Sequence, residues 1–176
     1  TPVQRAAAEA HRAGLCVVPP REDGSKAPEG CWKAYQTARP TPGVLREWYG
    51  PRTGLGVICG AVSGHLECLE FDDRETYERL KDLAHQSEFS DVIRRLEDGY
   101  TEDTPGGGVH WLLKCSEIGG NLKLASRPKR PDEQRHPHDT IKVLIETRGE
   151  GGYIILAPSN GAVHPSGGRY TLRGVP

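Results

Sequence analysis

The chain has 176 residues, enough for one domain with a sizeable core. Hydrophobic residues make up 35% of it and glycines number 22, which predicts a thin core and many loops. A formal net charge of −1 excludes a global positive field, so any nucleic-acid site must be local, and five widely spaced cysteines without a C-x-x-C pair argue against a disulfide framework or a cysteine zinc finger.

Residues 3–13 are alanine-rich and unbroken, with Gly14 where a helix would end. Leu15 to Val18 reads as a short strand closed by Pro19-Pro20, leading into a polar turn, 21–30, that holds Lys26. After Trp32, Lys33 and Tyr35, Thr41-Pro42 reads as an N-cap with proline at the first helical position, opening a short helix that ends at Gly50. Strands follow at 55–59 and 66–72 and are expected to pair as a hairpin. Helical spacing of Tyr77, Leu80 and Leu83 or Ala84 predicts a helix over 74–85. Ser90 is read as the cap of a second one, with Val92, Ile93 and Leu96 as its apolar positions. The run Thr104-Pro105-Gly106-Gly107-Gly108 precedes a strand over 109–114, which sets His110 and Leu112 on one face and Val109, Trp111 and Leu113 on the other. Residues 116–140 lack periodicity and are read as an extended, mobile, basic loop holding Lys123, Arg127, Lys129, Arg130 and Arg135. Residues 141–147 and 153–157 carry a hairpin signal around a glycine-rich turn, and a tail strand is expected near Tyr170-Thr171-Leu172. Hairpins mixed with helical crossovers point to an α+β domain.

No apolar signal core or 18-residue apolar span is present, so the chain reads as soluble and intracellular. The absence of methionine, even at position 1, and an ending at Gly174-Val175-Pro176 without a closing element suggest one domain of a longer protein.

The stretch Leu66-Glu67-Cys68-Leu69-Glu70-Phe71-Asp72 organises the rest. Strand alternation sets Glu70 and Asp72 on one face, with Cα atoms roughly 6.6 Å apart, close enough to share hard cations. A competing role for Asp72 is to cap the helix that follows. Glu146, inside the apolar run Val143-Leu144-Ile145, needs compensation for a carboxylate among apolar neighbours. It shares a strand face with Lys142 and Leu144, with Arg148 beside it. Three carboxylates on two strands suit a pair of divalent metals for phosphoryl transfer. A histidine beside a glycine turn suits phosphate oxygens.

In this order the residues resemble the three motifs of the archaeo-eukaryotic primase superfamily, specifically the bifunctional primase-polymerase domain of phage and plasmid replication proteins. Glu70-Phe71-Asp72 is similar to the acidic-x-acidic first motif. Thr104 to His110 is similar to the second, and Glu146 before Arg148-Gly149, with Ala157-Pro158-Ser159 following, to the third. Gly24-Ser25-Lys26-Ala27-Pro28 with Trp32-Lys33 resembles the family's leader, so the likeness spans about 3–172. Position 70 is Glu where the family more often has Asp, and position 108 is Gly where it often has Ser.

The resemblance implies an α+β fold: a split βαβ sheet like that of an RNA-recognition motif, packed with an N-terminal α/β module. The module boundary is expected near residue 60, with the active site in the cleft between the two parts. It implies Glu70, Asp72 and Glu146 as ligands of two Mg2+ or Mn2+ ions, and His110, Arg148, Lys26, Gly107 and Gly108 as contacts of an incoming NTP or dNTP. The partners implied are a single-stranded DNA template with primer and a helicase in the same chain or in trans, in the cytoplasm of a bacterial host and without a membrane. Residues Lys123 to Arg135 are the candidate template grip. Rival readings are a two-metal nuclease or phosphodiesterase, and a non-catalytic nucleic-acid-binding replication module. His136-Pro137-His138 with Cys115 or His164 is a zinc alternative, disfavoured by the intervening proline and the missing cysteine pair.

Overall fold

Four helices and nine strands, among the described residues 1–173, build an α+β protein with two antiparallel sheets in this computed structural model. The expected ending at Gly174-Val175-Pro176 lies outside the described residues.

Helix α1 (Pro2–Arg12) opens with a capping box between Thr1 and Gln4 and closes before Gly14, whose φ of +95° lets the chain reverse. Its Val3 and Ala7 are buried. Strand β1 (Cys16–Val17) follows, then α2 (Pro42–Trp48), whose cap Thr41 accepts from the Val44 amide. Strand β2 (Leu55–Ile58) is buried at all four positions. Next come β3 (Leu66–Phe71), α3 (Arg74–His85), α4 (Ser90–Glu97), β4 (Tyr100–Asp103) and β5 (Val109–Lys114). The described residues close with β6 (Lys123–Pro128), β7 (Ile141–Arg148), β8 (Tyr153–Leu156) and β9 (Thr171–Arg173).

One sheet has the order β1-β2-β8 and the other β6-β7-β3-β5-β4-β9. Helices α3 and α4 cover one face of the larger sheet, where Phe71, Tyr77 and Trp111 meet edge to face with ring centroids 5.2 Å apart. The opposite face is divided. Leu66 and Cys68 pack beneath the smaller sheet, α1 and α2, while the far end of that face stays open.

Two expected hairpins do not form. Strand β2 pairs with β1 and β8 rather than β3, because Gly60, at φ +104°, and the turn at Ala61–Ser63 carry the chain to the other sheet. Of the expected pairing, a single bridge between Gly60 and Leu66 forms among the described residues. Likewise β7 and β8 lie in different sheets. The turn at 149–152 does form, with the Gly152 amide donating to the Gly149 carbonyl at 2.9 Å, but it carries the chain across to the other sheet: the Cys59 amide donates to the Gly152 carbonyl at 2.7 Å, and a Cβ on Gly149 would stand 2.1 Å from the Gly119 carbonyl oxygen. Strand β8 is as apolar as β2, and pairing the two sets both in the core rather than leaving β8 as a hairpin arm.

The basic loop is partly a strand. Register shifts around Ala125 break the alternation of β6, and this bulging hides it from a period-2 reading. Strand β4 carries no expectation at all, since Tyr100-Thr101-Glu102-Asp103 looks polar until its register with β5 is known. Ser90 begins α4, but no side chain caps it.

Candidate active site

Strand β3 emerges from the core along one of its own faces. Cys68 is fully buried, the Glu70 side chain is 24% exposed and that of Asp72 is 52% exposed. The alternation that buries Leu66 and Cys68 therefore delivers the two acids to the open end of the sheet.

Neighbouring strands continue this line. Glu146 on β7 pairs directly with Glu70, Glu70 pairs with His110 on β5, and His110 pairs with Glu102 on β4. Residues directly opposite in antiparallel strands share a face, with Cα atoms about 4.5–5.5 Å apart. Four titratable groups from four strands thus form one row.

Arg148 holds the two adjacent glutamates. Its Nε donates to Glu70 at 2.9 Å and its Nη2 to Glu146 at 2.6 Å. Burial alone would raise the Glu70 carboxyl, but His110 and Arg148 outweigh it and hold the group down at about 2. Glu146 moves the other way, because burial and the neighbouring Glu70 charge outweigh Arg148.

His110 is enclosed between acids. Its Nδ1 lies 2.8 Å from Glu102 Oε1 and its Nε2 3.9 Å from Glu70 Oε1. Burial disfavours its charge, yet the two carboxylates raise its pKa to about 9. Glu102, a residue that spacing alone did not single out, has no exposed surface. Its Oε2 accepts from the Tyr100 hydroxyl and the Ala157 amide, each at 2.8 Å. The usable signal is the alternation of Tyr100 and Glu102, which share the His110 face once Thr104 to Gly108 is read as a hairpin turn.

Asp72 is not the helix cap. The neighbouring Asp73 caps α3 by accepting from the Thr76 amide at 2.8 Å, while Asp72 pairs with Lys142 at 2.9 Å. Glu70, Asp72 and Lys142 form the wall between two clefts. One, of about 330 Å³, is lined by Lys26, His110, Arg148, His164 and Tyr170. The other, of about 450 Å³, is lined by Glu146, Lys129, Arg135 and Ile141.

Lys26, remote in sequence, therefore joins the expected group. The Gly107 and Gly108 amides do not reach it, because they donate to the Thr104 carbonyl and hydroxyl within the turn. Gly108 is instead required by packing: a Cβ there would stand 2.2 Å from the Phe71 carbonyl oxygen. Gly106 is the turn glycine that lines the cleft.

Part of the basic segment is also engaged. Arg127 makes two 2.6 Å bonds to Glu133, and Lys129 pairs with Asp139 at 2.6 Å. The zinc alternative is not assembled either, since Cys115 donates to Glu67 and His164 lines the first cleft. Among the described residues, no group of three or more His, Cys, Asp and Glu side chains is gathered to hold a metal ion. The acids that were expected to do so bind Arg148 and Lys142. No described helix is long and apolar enough to cross a membrane.

No curated protein matches the chain in sequence. The profile of the bifunctional DNA primase/polymerase N-terminal domain does match, over residues 6–175, and the chain belongs to that family.

Proposed function

We propose that the chain is the catalytic domain of a DNA-directed primase-polymerase, which transfers nucleotides from NTPs or dNTPs to a primer on a single-stranded DNA template. The observation that carries this reading is the acidic wall shared by two clefts, one of them lined by Lys26, His110 and Arg148. The cationic cleft suits the incoming triphosphate, and the second, with Arg135 and Ile141, suits the primer and template.

The donor set fits Mg2+ or Mn2+. Glu70, Asp72 and Glu146 offer only hard carboxylate oxygens, and this face already draws two cationic side chains to those oxygens. Divalent ions bound there would activate an attacking hydroxyl and neutralise triphosphate charge. His110 donates to phosphate oxygens, and Arg148 and Lys26 steady the triphosphate.

The strand order β7-β3-β5-β4, with α3 and α4 between β3 and β4, supports an arrangement like an RNA-recognition motif. In that comparison β6 stands where a second crossover helix would lie. The N-terminal segment up to about residue 60 then forms the second wall of the cleft, together with β8. A helicase, in the same chain or in trans, is the proposed partner in replication.

Labelled dNTP supplied with Mn2+ and a primed single-stranded template tests this. Extension that disappears in Glu146→Gln supports the reading. Shortening of the template would indicate the nuclease instead, and binding without either reaction a non-catalytic module.

A further inference from the structure

We propose that Glu102 is a positioning residue, which holds the His110 ring so that Nε2 faces the incoming triphosphate. The proposal rests on His110 being the phosphate contact. A carboxylate without exposed surface is costly unless its oxygens are satisfied. Those of Glu102 accept from three donors: His110 Nδ1, the Tyr100 hydroxyl and the Ala157 amide. With Oε2 taken by two donors, Oε1 faces the ring as the remaining acceptor, so Nδ1 is the donor and the opposite nitrogen is turned into the cleft.

The other groups around the ring do not replace this contact. Glu70 on β3 lies 3.9 Å from Nε2 and is itself engaged by Arg148 from β7. The Tyr170 ring is centred 6.1 Å away, and Lys26, His164, Tyr153 and Asp72 line the same cleft. Glu102 alone, among the described residues, bonds the inner nitrogen. Its bond to Ala157, just past β8, also couples the ring to the smaller sheet across the cleft. The orientation of His110 therefore depends on how the two sheets meet.

Steady-state incorporation of dATP on a primed template, with Mn2+, separates the possibilities. Glu102→Gln keeps the shape but loses an acceptor, and one of its NH2 hydrogens must face a donor. The variant should raise KM for dATP roughly tenfold, the loss expected for one charge-assisted hydrogen bond, with kcat within about threefold. In a His110→Ala background the same substitution should add nothing. An equal rise in that background, or no rise in the single variant, overturns the positioning role. If His110→Ala leaves KM unchanged, the phosphate reading falls first and takes the proposal with it. Should Glu102→Gln fail to fold, the wild-type protein still decides. Its imidazole 15N spectrum should show a slowly exchanging proton on His110 Nδ1 and an Nε2 signal that moves when dATP is added with Ca2+. A bare Nδ1 overturns the proposal.

Discussion

Glu70 and Glu146 stand directly opposite each other on β3 and β7, and the Arg148 guanidinium bonds both, at 2.9 and 2.6 Å. Like charges in facing strand positions repel. The arginine resolves that repulsion with the planar fork that suits two carboxylates, while marking this place as one that requires positive charge.

Removing that fork exposes the repulsion. Arg148→Gln should lower stability in EDTA by roughly 1–3 kcal/mol, since two half-buried acids lose their charged partner. Millimolar Mn2+ should then raise the Tm of the variant by more than it raises that of the wild type. Differential scanning fluorimetry with and without the ion checks this; equal shifts would disconnect the acids from metal binding.

Neighbouring aspartates should separate catalysis from folding. Asp72→Asn is expected to abolish nucleotide addition while the Tm stays close to the wild-type value, because Asp72 is exposed and caps nothing. Asp73→Ala removes the α3 cap and should cost about 1 kcal/mol. Primer extension and thermal melting of both variants test the division, which fails if Asp72→Asn unfolds the domain.

Template binding should depend on the cations that lack acidic partners. Arg127 and Lys129 are tied to Glu133 and Asp139, whereas no ion pair engages Lys123, Arg130 or Arg135 among the described residues. Reversing those three charges should weaken single-stranded DNA binding and flatten the slope of log affinity against log salt by about 2, roughly 0.7 for each phosphate no longer neutralised. Fluorescence anisotropy over a salt series measures it. Unchanged slopes would move the template path elsewhere.

Acid should loosen the helical pair far from the clefts. Burial would raise the Glu97 carboxyl, but Lys81 and His85, at 2.9 and 2.8 Å, hold it below its ordinary value. A lowered folded-state pKa stabilises above the unfolded value of about 4.3 and loses that contribution as pH falls through the folded one. Glu97→Gln should therefore melt about 2–4 °C below wild type at neutral pH, the shift expected for about 1 kcal/mol, and the gap should close as pH falls through the lowered folded-state value. Melting curves across that range decide.

Much of the chemistry was legible along the chain, because alternation and capping act between near neighbours. The acids of β3, the two faces of β5, the Thr41 cap and the place of Glu146 all follow from spacing. Pairing partners were not legible. Strands β2 and β8 are apolar on both faces and suit several neighbours equally, so only the reversals at Gly60 and at the 149–152 turn send them to one sheet and β3 and β7 to the other. The bulges in β6 erase its period, and β4 reveals itself only through its register with β5. Tertiary structure alone aligned Glu146, Glu70, His110 and Glu102 in one row, because a row that crosses four strands joins residues far apart in sequence through hydrogen-bond register.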